Sequence, residues 1–252
     1  MSLELSSRHP PAPPPLTRRG TALFLDLDGT LAPFAPRPED VAPDPWRTRL
    51  VRDLRRTLGG RLAVVSGRAL TEIDRILEGA APAAAGVHGL ERRTPDGRVD
   101  AVPPHPELGR AERALRWFAG QDPGLLVEPK RASVALHFRL APGRAEDARA
   151  LARCLAARTG LVLMPGALAV ELRTPGPTKG DSVRAFMAEP PFVGARPIFV
   201  GDDLTDEDGF AAANELGGYG VKVGRGSITA AKFALPDVEA VLHWLERLKW
   251  DG

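Results

Sequence analysis

Residues 22–34 read ALFLDLDGTLAPF, an apolar run that meets two aspartates, Asp26 and Asp28, and then breaks at Gly29-Thr30. Buried strands avoid charge, because an isolated carboxylate loses its hydration there. Two acids separated by one residue point the same way on an extended chain. The stretch therefore reads as a core strand that delivers paired carboxylates at its carboxyl end. In a parallel sheet that end opens onto the crevice where ligands bind.

The pattern recurs outward from this strand. The run 22–28 is followed by the helical pattern PWRTRLVRDLRRTL (45–58), and RLAVVSG (61–67) by ALTEIDRILEG (69–79). AAAGVHG (83–89) leads to a hairpin with TPDG (94–97) at its tip. RPIFVGD (196–202) precedes DEDGFAAANEL (206–216), GYGVKVG (218–224) follows, and PDVEAVLHWLERLKW (236–250) comes last. Continuous apolar strands alternating with helices predict an α/β fold, a parallel sheet covered on both faces.

The middle of the chain departs from this rhythm. LGRAERALRWFAG (108–120) and GRAEDARALARCLAARTG (143–160) read as helices. The first is followed by LLVEP and SVALHFR, the second by LVLMP and ALAVELR, each pair joined as a hairpin. The expectation is a Rossmann-like core over 17–104 and 176–252, with a smaller α+β cap inserted at 105–175. Residues 1–16, rich in proline, are expected to form an extended or disordered leader.

Composition narrows the function classes. At 252 residues and 43% hydrophobic the chain can bury a large core. The formal net charge is only +2, and the arginines are scattered with no dense basic run, so no nucleic-acid partner is expected. No apolar run approaches the roughly 20 residues that span a bilayer. The first 20 residues lack the apolar segment of a secretory signal. A cytoplasmic monomer without membrane contact is expected. The single cysteine, Cys154, excludes an internal disulfide and reads as a core-facing thiol. Trp46, Trp117, Trp244 and Trp250 recur in helical patterns and are expected to pack; His9, His105 and His243 are expected at the surface.

The chemistry collects at strand ends. Asp26 and Asp28 are joined there by Ser66 in VVSGR and by Asp202 and Asp203 in FVGDDLTDED. Four carboxylates in one crevice repel one another unless a cation sits among them, and hard oxygen ligands favour Mg2+. Lys179, at the helix start in GPTKGDS, adds positive charge, and the set suits a phosphoryl group. A DxD pair alone leaves other readings open: metal binding in a nucleotide-sugar enzyme, acid and base in glycoside hydrolysis, or strand-end polarity.

The ordered set DLDGT, Ser66, Lys179 and GDDLTDED resembles the haloacid dehalogenase (HAD) superfamily. The finer pattern is similar to its trehalose-6-phosphate phosphatase family, over residues 20–248. The resemblance implies that Asp26 is the nucleophile that becomes an aspartyl-phosphate, and that Asp28 is general acid and then general base. It implies Mg2+ on the Asp26 carboxylate, the Asp28 backbone carbonyl and Asp202. Asp203 and Asp206 ligate through water or orient the site. Gly29, Thr30, Ser66, Gly67 and Lys179 hold phosphate, and Arg68 caps a helix or pairs with a core acid.

Three further stretches carry the implied substrate. GVHGLE contributes His88, Gly89 and Glu91; VEPKRASVALHFR contributes Glu128, Lys130 and Ser133, with His137 and Arg139 nearby; ALAVELRTPGPTKG contributes Glu171 and Arg173. From residue type alone, Glu128, Lys130 and Glu171 are solvated strand faces, His137 orients or packs, and His88 is open between sugar contact and structure. Phe138 stands where the family more usually has Tyr. The implied activity is Mg2+-dependent hydrolysis of trehalose 6-phosphate to trehalose and phosphate. The alternatives are a phosphatase for sucrose 6-phosphate or a glycosyl phosphoglycerate, or a catalytically silent regulatory partner of a trehalose-phosphate synthase.

Overall fold

β1 (Thr21–Leu25) is buried along its length and lies between two parallel neighbours, β2 (Leu62–Val65) and β10 (Arg196–Gly201). The computed structural model describes residues 10–166, 168–225 and 228–248. Beyond β2 the sheet continues through β3 (Ala84–Gly86), and beyond β10 through β11 (Tyr219–Val223) and β12 (Phe233–Leu235). The antiparallel hairpin β4 (Glu91–Arg93) and β5 (Val99–Ala101) completes eight strands in the order β12-β11-β10-β1-β2-β3-β4-β5.

Period-two alternation sorts the two faces of this sheet. Leu23 and Leu25 of β1 pack with α1 (Pro45–Thr57), α2 (Leu70–Leu77) and α7 (Val238–Glu246). Ala22 and Phe24 face the other way, toward α5 (Lys179–Met187) and α6 (Glu207–Glu215). There Phe24 stacks on Phe192, with ring centroids 5.6 Å apart.

The inserted segment builds its own core. α3 (Leu108–Ala119) and α4 (Ala145–Thr159) cover one face of an antiparallel sheet. Its strands β6 (Leu126–Pro129), β7 (Ser133–His137), β8 (Val162–Pro165) and β9 (Ala169–Arg173) lie in the order β6-β7-β9-β8. Val134, Leu136, Val170 and Leu172 pack under the helices. Glu128, Ala135 and Glu171 share one rung on the opposite face, since Glu128 pairs with Ala135 and Ala135 with Glu171. The two connecting chains run side by side, with the His105 N–H donating to Thr174 Oγ1 at 3.0 Å.

Several expectations are narrowed or corrected. Of the two alternatives expected for the proline-rich leader, extended or disordered, residues 10–16 take the extended one. Proline has no N–H but keeps its carbonyl, and these carbonyls are used: Ala234 N–H donates to Pro11 O at 2.9 Å and the Trp244 indole N–H to Pro14 O at 2.8 Å. Leu16 is fully buried behind them. Cys154 is exposed, because α4 buries Ala148, Ala152, Leu155 and Thr159 on its other side. Trp244 packs, but Trp46 and Trp117 are exposed on their helices. Phe138 is buried in the core of the inserted segment and is not among the residues that line the cavity described below. His9, Ala167, Gly226 and Trp250 lie outside the described residues. Among the described residues no helix is long and apolar enough to cross a membrane.

Candidate active site

Three adjacent parallel strands deliver the first groups. Asp26 continues the β1 ladder by donating its N–H to Val200 O at 2.9 Å, and Ser66 donates to Ala85 O at 2.9 Å. Asp202 follows directly on β10. The chain then turns away at Gly29, where φ is +78° and a Cβ would collide with the Asp202 carboxylate. Only glycine meets both conditions.

Lys179 reaches this cluster from the first residue of α5. Thr178 and Asp181 cap that helix reciprocally: the Thr178 side chain accepts the Asp181 N–H and the Asp181 carboxylate accepts the Thr178 N–H. Lys179 Nζ donates to Asp26 Oδ1 at 2.9 Å and to Asp206 Oδ1 at 2.6 Å. Asp206 Oδ2 in turn accepts the Asp203 N–H at 2.9 Å, and the Asp203 carboxylate accepts the Leu204 N–H at 2.7 Å. Asp203 and Asp206 thus shape the turn that carries Asp202.

Asp26, Asp202 and Asp206 each bring one carboxylate oxygen within 4.8 Å of the others. Burial pushes the Asp26 carboxyl well above its ordinary range, with Lys179 opposing and Asp206 and Asp202 adding to the rise. Burial and the adjacent Asp206 push Asp202 up to about 7. Lys179 is held above the lysine range, because Asp206 and Asp26 outweigh its burial. Asp202 Oδ1 is buried with no hydrogen-bond partner among the described residues. Hard oxygens in excess of local positive charge, one of them orphaned, fit a divalent cation such as Mg2+.

Asp28 does not join that convergence by its side chain, which corrects the expected meeting of four carboxylates. Both its oxygens are taken by Arg68, Nε donating to Oδ2 at 2.6 Å and Nη2 to Oδ1 at 2.8 Å. The bidentate fit of guanidinium to carboxylate is the physical reason. Arg68 is fixed in turn by Pro38 O at 2.9 Å, and its own N–H donates to Ser66 Oγ at 3.3 Å.

The rung of the inserted sheet faces these groups across a cavity of about 350 Å³, which Ser66 and Gly67 also line. Lys130 Nζ donates to Glu171 Oε2 and to Gly67 O, both at 2.9 Å, so it spans the two parts of the molecule. His88 Nε2 lies 3.4 Å from Glu171 Oε2, and His137 Nε2 lies 2.8 Å from Glu128 Oε2. Burial would raise Glu171, but Lys130 and His88 hold its carboxyl well below the ordinary range. Burial likewise opposes Glu128, which His137 and Lys130 keep below its usual value.

Other expected site residues sit elsewhere. Glu91 is buried and its Oε2 accepts the Leu70 N–H at 3.2 Å. It caps α2, whose own N-cap, Ala69, has no side chain to do so. Arg173 donates from Nη2 to Gly176 O and Pro177 O, both at 2.7 Å, and braces the connection to α5. Gly89, with φ of +107°, sits so close to Thr178 O that a side chain would clash. Thr30 and Ser133 are buried outside the residues that line the cavity. Lys222, at the end of β11, was not anticipated: its Nζ donates to the Asp202 carbonyl. Its position at a carboxyl end beside β10 was the available signal.

A buried carboxylate beside a lysine, a cation-ready trio and a second clamped carboxylate together form a site able to transfer a phosphoryl group. The trehalose-phosphatase family profile matches residues 24–239. A trehalose-6-phosphate phosphatase of Escherichia coli is 39% identical over 229 residues, covering 90% of this chain and 86% of its own. The crystal structure of a trehalose-6-phosphate phosphatase related protein matches with a TM-score of 0.74 at 30% identity, over 89% of this chain and 95% of its own. The C-terminal domain of the Candida albicans trehalose-6-phosphate phosphatase matches with a TM-score of 0.82 over 94% of this chain and 97% of its own; at 21% identity it speaks for the fold alone. That fold is shared with haloacid dehalogenase-like hydrolases. The chain belongs to the trehalose-phosphatase family of phosphoric monoester hydrolases.

Proposed function

We propose that the protein hydrolyses trehalose 6-phosphate to trehalose and inorganic phosphate, with Mg2+ held at Asp26, Asp202 and Asp206. The observation that carries this reading is the confrontation across one cavity of two kinds of group. Below lie Asp26 and Lys179, suited to phosphorus; above lie Glu128, Lys130 and Glu171, suited to sugar hydroxyls.

In the first half-reaction an Asp26 oxygen bonds to phosphorus while the bond from phosphorus to the sugar oxygen breaks. Asp28, once one of its oxygens has left the Arg68 clamp and taken up a proton, gives that proton to the sugar oxygen. In the second, Asp28 takes a proton from water, the water oxygen bonds to phosphorus, and the Asp26 carboxylate is released with phosphate. Lys179, fixed by two carboxylates, keeps Asp26 oriented and faces the phosphoryl oxygens. Bound Mg2+ would supply charge neutralisation to those oxygens.

Phosphate release from trehalose 6-phosphate, sucrose 6-phosphate and glucose 6-phosphate, with Mg2+ or with chelator, tests the reading. Trehalose 6-phosphate is expected to be the preferred substrate, with loss of activity in chelator; equal rates on sucrose 6-phosphate would remove the substrate assignment. Glu171→Gln is expected to cost about 10- to 100-fold on trehalose 6-phosphate and little on p-nitrophenyl phosphate, since one charged hydrogen-bond acceptor for a hydroxyl is lost. Equal losses on both esters would assign Glu171 to folding.

The cation makes a separate prediction for stability. In the metal-free folded protein Asp202 keeps its proton up to about pH 7, whereas its ordinary value is 3.8. The folded state therefore binds more protons than the unfolded chain between those values, and its stability falls as pH rises through that window. Mg2+ replaces the missing counter-charge, so the gain in Tm on adding Mg2+ should be larger at pH 8 than at pH 5.5. Thermal scans showing a constant or shrinking gain would contradict the assigned ligands.

A further inference from the structure

The polar rung and the carboxylates leave one wall of the cavity unexplained. Arg68 locates it: the guanidinium that holds both Asp28 oxygens also donates to Pro38 O at 2.9 Å, so the segment 34–38 runs beside Asp28. A second sugar, beyond the one whose oxygen Asp28 protonates, has room along the Phe34 end of this segment. The segment presents Phe34, Ala35 and Pro36 to the cavity, and Phe34 is 58% exposed. Leu168, in the turn between β8 and β9, lines the same cavity and is 41% exposed. The Arg139 guanidinium, just past β7, stands 5.5 Å from the Phe34 ring centroid and ties the inserted segment to the core at this end.

A pyranose carries hydroxyls around its rim and C–H bonds on its faces. The rim asks for carboxylates and amines, the faces for apolar surface, best a flat aromatic ring. Glu128, Lys130 and Glu171 meet the first demand; Phe34 and Leu168 are placed for the second. On the reading that the substrate is a disaccharide phosphate, we propose that Phe34 is a specificity-determining residue. Its open ring face packs on the C–H face of the pyranose remote from phosphorus, while Arg139 holds the ring by a cation–π contact.

Steady-state kinetics of Phe34→Ala, Phe34→Trp and Arg139→Gln on trehalose 6-phosphate, glucose 6-phosphate and p-nitrophenyl phosphate test this. Phe34→Ala should raise KM for trehalose 6-phosphate about tenfold and leave kcat within about twofold, because contact is lost away from the reacting atoms. The two shorter esters should be unaffected, Phe34→Trp should stay near wild type, and Arg139→Gln should show a smaller rise of the same kind. An unchanged KM for the disaccharide ester in Phe34→Ala, or equal losses on all three esters, overturns the proposal. A wild-type enzyme that turns over trehalose 6-phosphate no better than glucose 6-phosphate overturns the substrate reading instead. Sucrose 6-phosphate then decides the role of Phe34 by the same KM criterion.

Discussion

Asp26→Asn should lower steady-state phosphate release by about ten-thousandfold or more, the scale of removing a nucleophile, while calorimetric binding of trehalose 6-phosphate remains measurable. The amide has the shape of the carboxylate but does not form the bond to phosphorus. The fold should tolerate it. Asp26 is buried, its charge is disfavoured by that burial and by Asp206 and Asp202, and Lys179 is the group among the described residues that compensates. Metal-free Asp26→Asn is therefore expected to melt no lower than wild type. Acid-quenched wild type should carry phosphate from labelled substrate, and the variant none. Turnover near wild type, or label retained in the variant, would place the nucleophile elsewhere.

Lys179→Met should act on both rate and stability. Loss of a preorganised positive charge beside the phosphoryl group is expected to cost about 100- to 1,000-fold in kcat. The side chain is also the shared partner of two buried carboxylates, Asp26 and Asp206. Breaking such a buried set on one side costs about 3–5 kcal/mol. That penalty should be largest in metal-free protein at pH 8 and smaller at pH 5.5, where a carboxyl raised by burial takes up a proton instead. Adding Asp206→Asn should restore part of the stability and none of the rate. Urea unfolding at the two pH values separates these outcomes. Undiminished stability at pH 8, or full activity, would show that Lys179 is peripheral.

Much of the site was legible because parallel strands deliver residues to one edge. Asp26, Ser66 and Asp202 each follow an apolar run, and the period of two in SVALHFR and ALAVELR already separates Val134, Leu136, Val170 and Leu172 from Ala135 and Glu171. Glu91 and Arg173 stand outside the cavity lining for the same local reason. Each sits in a stretch that carries the family pattern, yet each serves backbone groups distant in sequence or around a bend: Leu70 N–H for one, Gly176 O and Pro177 O for the other. The prolines of residues 10–16 left extended and disordered readings open, since their composition says nothing of the Ala234 and Trp244 N–H groups that donate to their carbonyls.

Local pattern determined the strands, the helices and the order in which acids, hydroxyl and lysine arrive, because burial and backbone geometry act over a few residues. Tertiary structure decided the partners. It gave Asp28 to Arg68, set Asp206 rather than the Asp28 side chain beside Asp26 and Asp202, and hung Lys130 between Glu171 and Gly67 O. Charge pairing depends on separations of a few ångströms between residues tens of positions apart, and only the closed fold brings those distances into being.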